Sequence, residues 1–213
     1  MIKLVKTMYL HGSFQVYIYL LHSLVHWPPR KKALLKILDQ IFMQFPDKKF
    51  RIVDIGSGPG LLARAIQDRG VDYLGIDNDP ETIKYCNKLF DNRSGFTFSD
   101  INVTDSTFQF DKNDIIILSG VAHHLNDIVL SKLLEKASKG FALIISDHAS
   151  KTSMDKNQLL PAFLQRLDRG KFIRPYKYFK TLEGYTLHHS EKFPIKIAGI
   201  TFWAYFCNVY QPE

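Results

Sequence analysis

Cysteine is scarce: 213 residues hold only Cys86 and Cys207, and neither lies in a C-x-x-C pair or a Cys/His cluster. That excludes a disulfide-stapled scaffold and a cysteine-built metal centre. Two reduced, buried thiols in a cytosolic protein are expected, with a single bridge between them left open. Long apolar runs are also missing. The most apolar stretch, residues 14–27, is interrupted by Gln15, His22, Ser23 and His26 and falls short of the roughly 18–20 residues that span a bilayer. Lys3 and Lys6 precede apolar residues as in a signal peptide, but His11-Gly12-Ser13 splits the run and no small-x-small cleavage site follows. There is no internal repeat and no low-complexity tract. A soluble, cytoplasmic chain without a transmembrane segment is the expectation.

What is present is ordinary globular material, with 46% hydrophobic and 23% charged residues. At roughly 100–200 residues per domain, residues 1–213 form one domain. A chain of this size buries about 70% of its unfolded surface without help from disulfides or metal. The formal charge of +7 first points to nucleic acid or an anionic membrane. Its distribution narrows that. Residues 1–53 carry nine Lys/Arg against two Asp/Glu, residues 54–150 nine against fourteen, and residues 151–213 ten against five. An acidic middle between basic flanks argues against a polynucleotide partner and leaves peripheral contact with anionic lipid open.

Periodicity divides the domain into a helical amino-terminal cap (1–49), a core (50–147) and a carboxy-terminal part (148–213). In the cap, Leu34, Leu35, Leu38, Ile41, Phe42 and Phe45 recur at 3–4 spacing and predict a helix over 31–45, after Pro28-Pro29 interrupts the pattern. From residue 50, strand-like runs at 50–55, 73–76, 96–98, 115–118 and 141–145 alternate with helical segments, the first of these helices ending at Gly70. Asp79-Pro80-Glu81 marks a helix start. The wholly apolar Ile115-Ile116-Ile117-Leu118 suits a parallel strand covered on both faces. The class is α/β, with a doubly wound, mostly parallel, seven-stranded Rossmann-like sheet. Residues 151–182 read as a helical, basic insert after strand five. Two further strands, near 185–193 and 200–210, have no crossover between them and so pair antiparallel.

The segment Asp54-Ile55-Gly56-Ser57-Gly58-Pro59-Gly60 joins the first strand to the first helix, where open α/β sheets bind ligands. Glycine lets backbone approach a ligand closely, and the helix amino terminus beyond favours an anionic group. The dinucleotide fingerprint G-x-G-x-x-G needs a glycine where Leu61 stands, and no Gly-Lys-Ser/Thr completes a P-loop. The spacing present, D-x-G-x-G-x-G, resembles motif I of the class I S-adenosylmethionine-dependent methyltransferases. Leu74-Gly75-Ile76-Asp77 and Asp100-Ile101 resemble cofactor-binding segments of the same family. Residues 114–125 resemble the strand-four segment of its small-molecule group, which includes the ubiquinone/menaquinone methyltransferases. The resemblance covers about residues 50–147.

It implies transfer of a methyl group from S-adenosylmethionine to a small-molecule acceptor, with O-, N- and C-methylation all open. Asp54, Gly56, Ser57, Gly58, Gly60, Asp77, Asn78, Asp100, Ile101 and Ser119 would bind the cofactor. Asp77 would take the ribose hydroxyls, Asp100 the adenine amine, and Asp54 would order the glycine loop through backbone hydrogen bonds. His124 and His148 are candidate general bases, required only if the acceptor is protonated at neutral pH. No metal is implied. The flanks would receive the acceptor. Tyr17, Trp27, Arg30 and Arg174 suit an apolar or aromatic molecule with an anionic group, although aromatic core and solvated basic face explain the same residues. A methyltransferase acting on RNA competes weakly, because Ser119-Gly120 stands where amino-methylating nucleic-acid enzymes carry Asn/Asp-Pro-Pro-Tyr/Phe. A nicotinamide oxidoreductase and a non-enzymatic, membrane-peripheral cofactor-binding protein also stay open at this point. Oligomeric state is not legible.

Overall fold

The computed structural model describes residues 24, 26–148, 172–197 and 200–213. Alternation of side chains along the central strands gives the sheet two apolar faces. In β4 (Asp114–Ser119), Ile115 and Ile117 pack on one face and Ile116 and Leu118 on the other, all fully buried. β1 (Arg51–Ile55) and β5 (Ala142–His148) repeat this, with Ile52 opposite Val53 and Ile144 opposite Ile145. β2 (Asp72–Ile76), β3 (Phe96–Ser99), β6 (Tyr185–Ile197) and β7 (Ile200–Pro212) complete a seven-stranded sheet of order β3-β2-β1-β4-β5-β7-β6. β1 to β5 are parallel, whereas β7 runs antiparallel to both β5 and β6. The expected α/β class and antiparallel carboxy-terminal strands are observed. Pro194 is accommodated because β6 is an edge strand, paired on one side only.

Among the described residues four α-helices cover the faces: α1 (Trp27–Gln44), α2 (Leu61–Ile66), α3 (Pro80–Leu89) and α4 (Asp127–Ala137). α1 starts four residues before the expected position. Its two prolines occupy the first turn, where amide protons have no intrahelical acceptor, so they begin the helix rather than interrupt it. Leu34, Ile37, Leu38 and Ile41 then pack with α2 and α3 residues on one sheet face. α2 is shorter than the expected run to Gly70. α3 starts as expected, the Asp79 carboxylate accepting from the Glu81 amide at 3.2 Å. α4 is capped by Asn126, which accepts from the Val129 amide at 2.9 Å.

The carboxy-terminal insert departs from expectation. Within 172–182 the chain forms a 3-10 turn, Tyr176–Lys180, rather than α-helix. Pro175 supplies no amide proton, and Tyr176 and Phe179, three residues apart, drop into the core beside α4. The remainder of that expectation, and Tyr17, lie outside the described residues. The chain runs outward from β1 through β2 and β3, then returns to place β4 on the other side of β1. The ends of β1 and β4 therefore frame the crevice where open α/β sheets take their ligands.

Candidate functional site

The glycine loop is held by backbone. The amides of Gly56 and Ser57 both donate to the Ile76 carbonyl, at 2.7 and 3.0 Å, tying the end of β1 to the end of β2. Gly56, Gly58 and Gly60 have φ of 70°, 49° and 71°, the left-handed region that disfavours a side chain. A Cβ on Gly56 would stand 2.3 Å from Cγ2 of Val121, so the loop after β1 and the turn after β4 touch there. Around Gly58 there is open space. Asp77, half-buried beyond β2, closes the loop: one carboxylate oxygen accepts from the Gly58 amide at 2.8 Å and the other from the Asp79 amide at 3.0 Å. The expectation of an anion site at the start of α2 is weakened, because six residues make a short dipole.

Beneath the loop, Asp54 is buried and accepts from the Tyr73 hydroxyl at 2.6 Å. That side-chain bond across β1 and β2 is its described role, in place of the expected backbone bonds to the glycine loop. Burial pushes the Asp54 carboxyl up to about 7, against the pull of the Tyr73 hydrogen bond and the Arg30 charge. Ser57 Oγ is buried and has no hydrogen-bond partner among the described residues. Asn78 and Asp100 are exposed, and Ile101 is an exposed apolar side chain at the end of β3. Both cysteines are free, and burial pushes their thiols up to about 12.

On the β4 side, Arg30 of α1 is fully buried and its Nη2 donates to Ser119 Oγ at 2.5 Å. Its guanidinium lies 5.4 Å from the Tyr205 ring centre. Gly120 makes room for it, since a Cβ there would stand 2.7 Å from Nη2. Trp27 is half-buried against the α1 face of the core. Arg174 has a different placement from the acceptor contact expected of it. Its Nη1 donates to the Ala122 carbonyl at 2.8 Å and its Nη2 to the Leu125 carbonyl at 2.7 Å, while Asp127 accepts from Nε and Nη2. All three nitrogens are engaged within the fold, so this residue positions the turn between β4 and α4.

That turn, Ala122–His124, carries the ionisable part of the site. His123 is buried; its Nδ1 lies 2.7 Å from Oδ1 of Asp147, and its amide donates to Oδ2 at 3.2 Å. His148 Nδ1 lies 3.3 Å from the same Oδ1, and the two rings are 4.3 Å apart. His124 is exposed and lies against His123, ring centres 4.1 Å apart. Burial alone would raise the Asp147 carboxyl, but His123 and His148 outweigh it and hold the group well below the usual carboxylate range. His123 and Asp147 were not among the expected site residues. The legible signal was an Asp-His pair ending a strand at the ligand-binding edge of the sheet.

A glycine loop at the switch point of this strand order defines a Rossmann-like cofactor fold. Residues 52–141 match the family model of a methyltransferase domain. An uncharacterised methyltransferase of Mycobacterium tuberculosis is 35% identical over 74 residues, which make 35% of this chain and 29% of that protein. The match thus spans less than a third of the relative's length. A SAM-dependent methyltransferase from Methanosarcina mazei shares the fold with a TM-score of 0.62, at 13% identity over 81% of this chain and 96% of the other. The magnesium protoporphyrin IX methyltransferase of Synechocystis PCC 6803, solved with bound S-adenosylhomocysteine, aligns with a TM-score of 0.61, at 14% identity over 85% and 83%. Together these findings support a methyltransferase core. Among the described residues no helix is long and apolar enough to cross a membrane.

Proposed function

We propose that the protein transfers a methyl group from S-adenosylmethionine to a small-molecule acceptor. The observation that carries this reading is the Asp77 carboxylate joined to the Gly58 amide beside open space, at the end of β2 and next to the switch point. Each Asp77 oxygen has one described backbone donor, which leaves acceptor capacity for two vicinal hydroxyls. Exposed Ile101 offers an apolar face to a purine, and Asp100 beside it an acceptor for an exocyclic amine. The residues present therefore fit an adenosyl group. When bound, the cofactor supplies an electrophilic methyl on a sulfonium sulfur. The protein aligns the acceptor with that carbon and keeps water out.

Arg30, Trp27 and Tyr17 belong to this proposal as the residues of the acceptor side, chosen to suit an aromatic or anionic molecule, whereas Arg174 is assigned to the framework. His124 and His148 are the candidate bases of the same reading. The resemblance of residues 114–125 carries the narrower reading of a quinone-methyltransferase-like group, and the two free, buried thiols support a cytoplasmic setting.

Calorimetry with S-adenosylhomocysteine tests the reading. The product should bind, NAD and NADP should not, and Asp77→Ala should weaken binding at least about tenfold by stranding two ribose hydroxyls. An unchanged dissociation constant in Asp77→Ala, or preference for a nicotinamide cofactor, would overturn it.

A further inference from the structure

We infer that Asp54 is a specificity-determining residue of this site: it favours the sulfonium cofactor over the product, whose sulfur is uncharged, by giving up a proton when the cofactor binds. The inference rests on the methyl-transfer reading above. That reading sets a purine beside Ile101 at the end of β3, a ribose on Asp77 beyond β2, and the acceptor toward β4 and β5. In the order β3-β2-β1-β4-β5, β1 stands between those two ends, so the sulfur that joins them belongs over its edge of the crevice. Asp54 is the next-to-last residue of β1 and brings a buried carboxyl group there.

The surroundings of that carboxyl favour its protonated form. Its hydrogen-bond donor is a phenol, the Tyr73 hydroxyl at 2.6 Å, and burial and Asp54 together push the ionisation of Tyr73 well above its usual range. Gly75, the residue paired with Asp54 across β2, adds no side chain. The Arg30 guanidinium of α1 pulls toward the carboxylate while donating to Ser119 Oγ on β4. Asp77 beyond β2 opposes ionisation with a charge of the same sign. Cys86 of α3 completes the titratable groups around Asp54 among the described residues. Desolvation outweighs the pull of Tyr73 and Arg30, and the group keeps its proton up to about 7.

A positive charge brought close to this carboxyl reverses the balance, because an opposite charge favours the ionised form. The O–H bond of Asp54 breaks, its electron pair stays on the carboxylate, and the proton passes to solvent. Cofactor and product share the amino-acid end and differ by one charge at sulfur, so the cofactor draws out more of the proton. Once the methyl group has left, the C–S electron pair has neutralised the sulfur, and Asp54 takes a proton back from solvent. Methyl transfer thereby loosens the hold on the product.

Titration calorimetry of the full chain, in buffers of different ionisation enthalpy, counts these protons. At about pH 6, S-adenosylmethionine should release close to one proton and S-adenosylhomocysteine about half of one. The affinity ratio should rise about threefold in favour of the cofactor between about pH 5.5 and about pH 7.5. In Asp54→Asn both releases should vanish and the ratio should stay level with pH. Tyr73→Phe keeps the ring but removes the donor that favours the carboxylate, so the release at about pH 7 should grow; this variant carries the test if Asp54→Asn does not fold. Equal release by the two ligands, release undiminished in Asp54→Asn, or release unchanged in Tyr73→Phe overturns the inference. Failure of both ligands to bind would instead defeat the methyl-transfer reading. Binding of both without any proton release would defeat only this inference.

Discussion

Asp54 on β1 and Asp147 on β5 flank the central strand β4 and are equally hidden, 3% and 1% exposed, yet they titrate in opposite directions. Desolvation raises both. Asp54 has a neutral phenol as its hydrogen-bond partner and moves up to about 7, while Asp147 faces two imidazoles and is driven below the usual range. Burial sets the cost of a charge, and the partner decides whether it is met. The same contrast runs through the two halves of the site. The β1–β2 side presents backbone amides and glycines without side chains, with its buried acid inclined to be neutral. The β4–β5 side is built from ionisable side chains and suits proton movement.

The largest effect should come from breaking the charged side. Asp147→Leu should cost roughly 3–5 kcal/mol, since it leaves the His123 ring and the His123 and His148 amides without their buried acceptor; urea unfolding measures it, and a cost below about 1 kcal/mol would mean these groups do not depend on the carboxylate. Asp147 has a lowered folded pKa, so its contribution is present above the carboxylate range and lost as pH falls through it. Asp54 carries the opposite sign. Its pKa is raised from 3.8 to about 7, so the folded state holds a proton the unfolded state has released, and stability falls as pH rises between those values. Asp54→Asn should therefore gain about 3 kcal/mol relative to the unaltered protein on going from about pH 5 to about pH 8. Parallel stability curves for the two proteins would erase the contrast. Smallest is Arg174→Met, which leaves the Ala122 and Leu125 carbonyls without a donor and should cost about 2 kcal/mol with product affinity unchanged. A loss of product affinity there would place Arg174 in the site after all.

Much of the glycine-loop side was legible because its contacts are local. A β-branched run, D-x-G-x-G-x-G spacing and an acid closing the next strand sit close together in sequence, and the structure brings Asp77 onto Gly58 across 19 positions. The apolar run Ile115 to Leu118 likewise carries its own evidence for a strand buried on both faces. The β4–β5 side was less legible because its partnerships are distant. Nothing near Arg30 says that it reaches Ser119, 89 residues on, nor does anything near Arg174 say that it bonds Ala122, 52 residues back. His123 does not stand out beside His124 in the sequence, because none of its neighbours names Asp147 as its partner. The prolines of α1 misled for a different reason: the same residue that breaks a helix interior is welcome in its first turn.

The Arg174 clamp has a consequence for motion. Besides the guanidinium, the Phe172 amide donates to the His123 carbonyl at 3.0 Å, so the segment entering the Tyr176–Lys180 turn and the histidine-bearing turn are laced together through both side chain and main chain. In amide hydrogen exchange the two stretches should therefore behave as one cooperative unit, each fluctuation of one carrying the other with it.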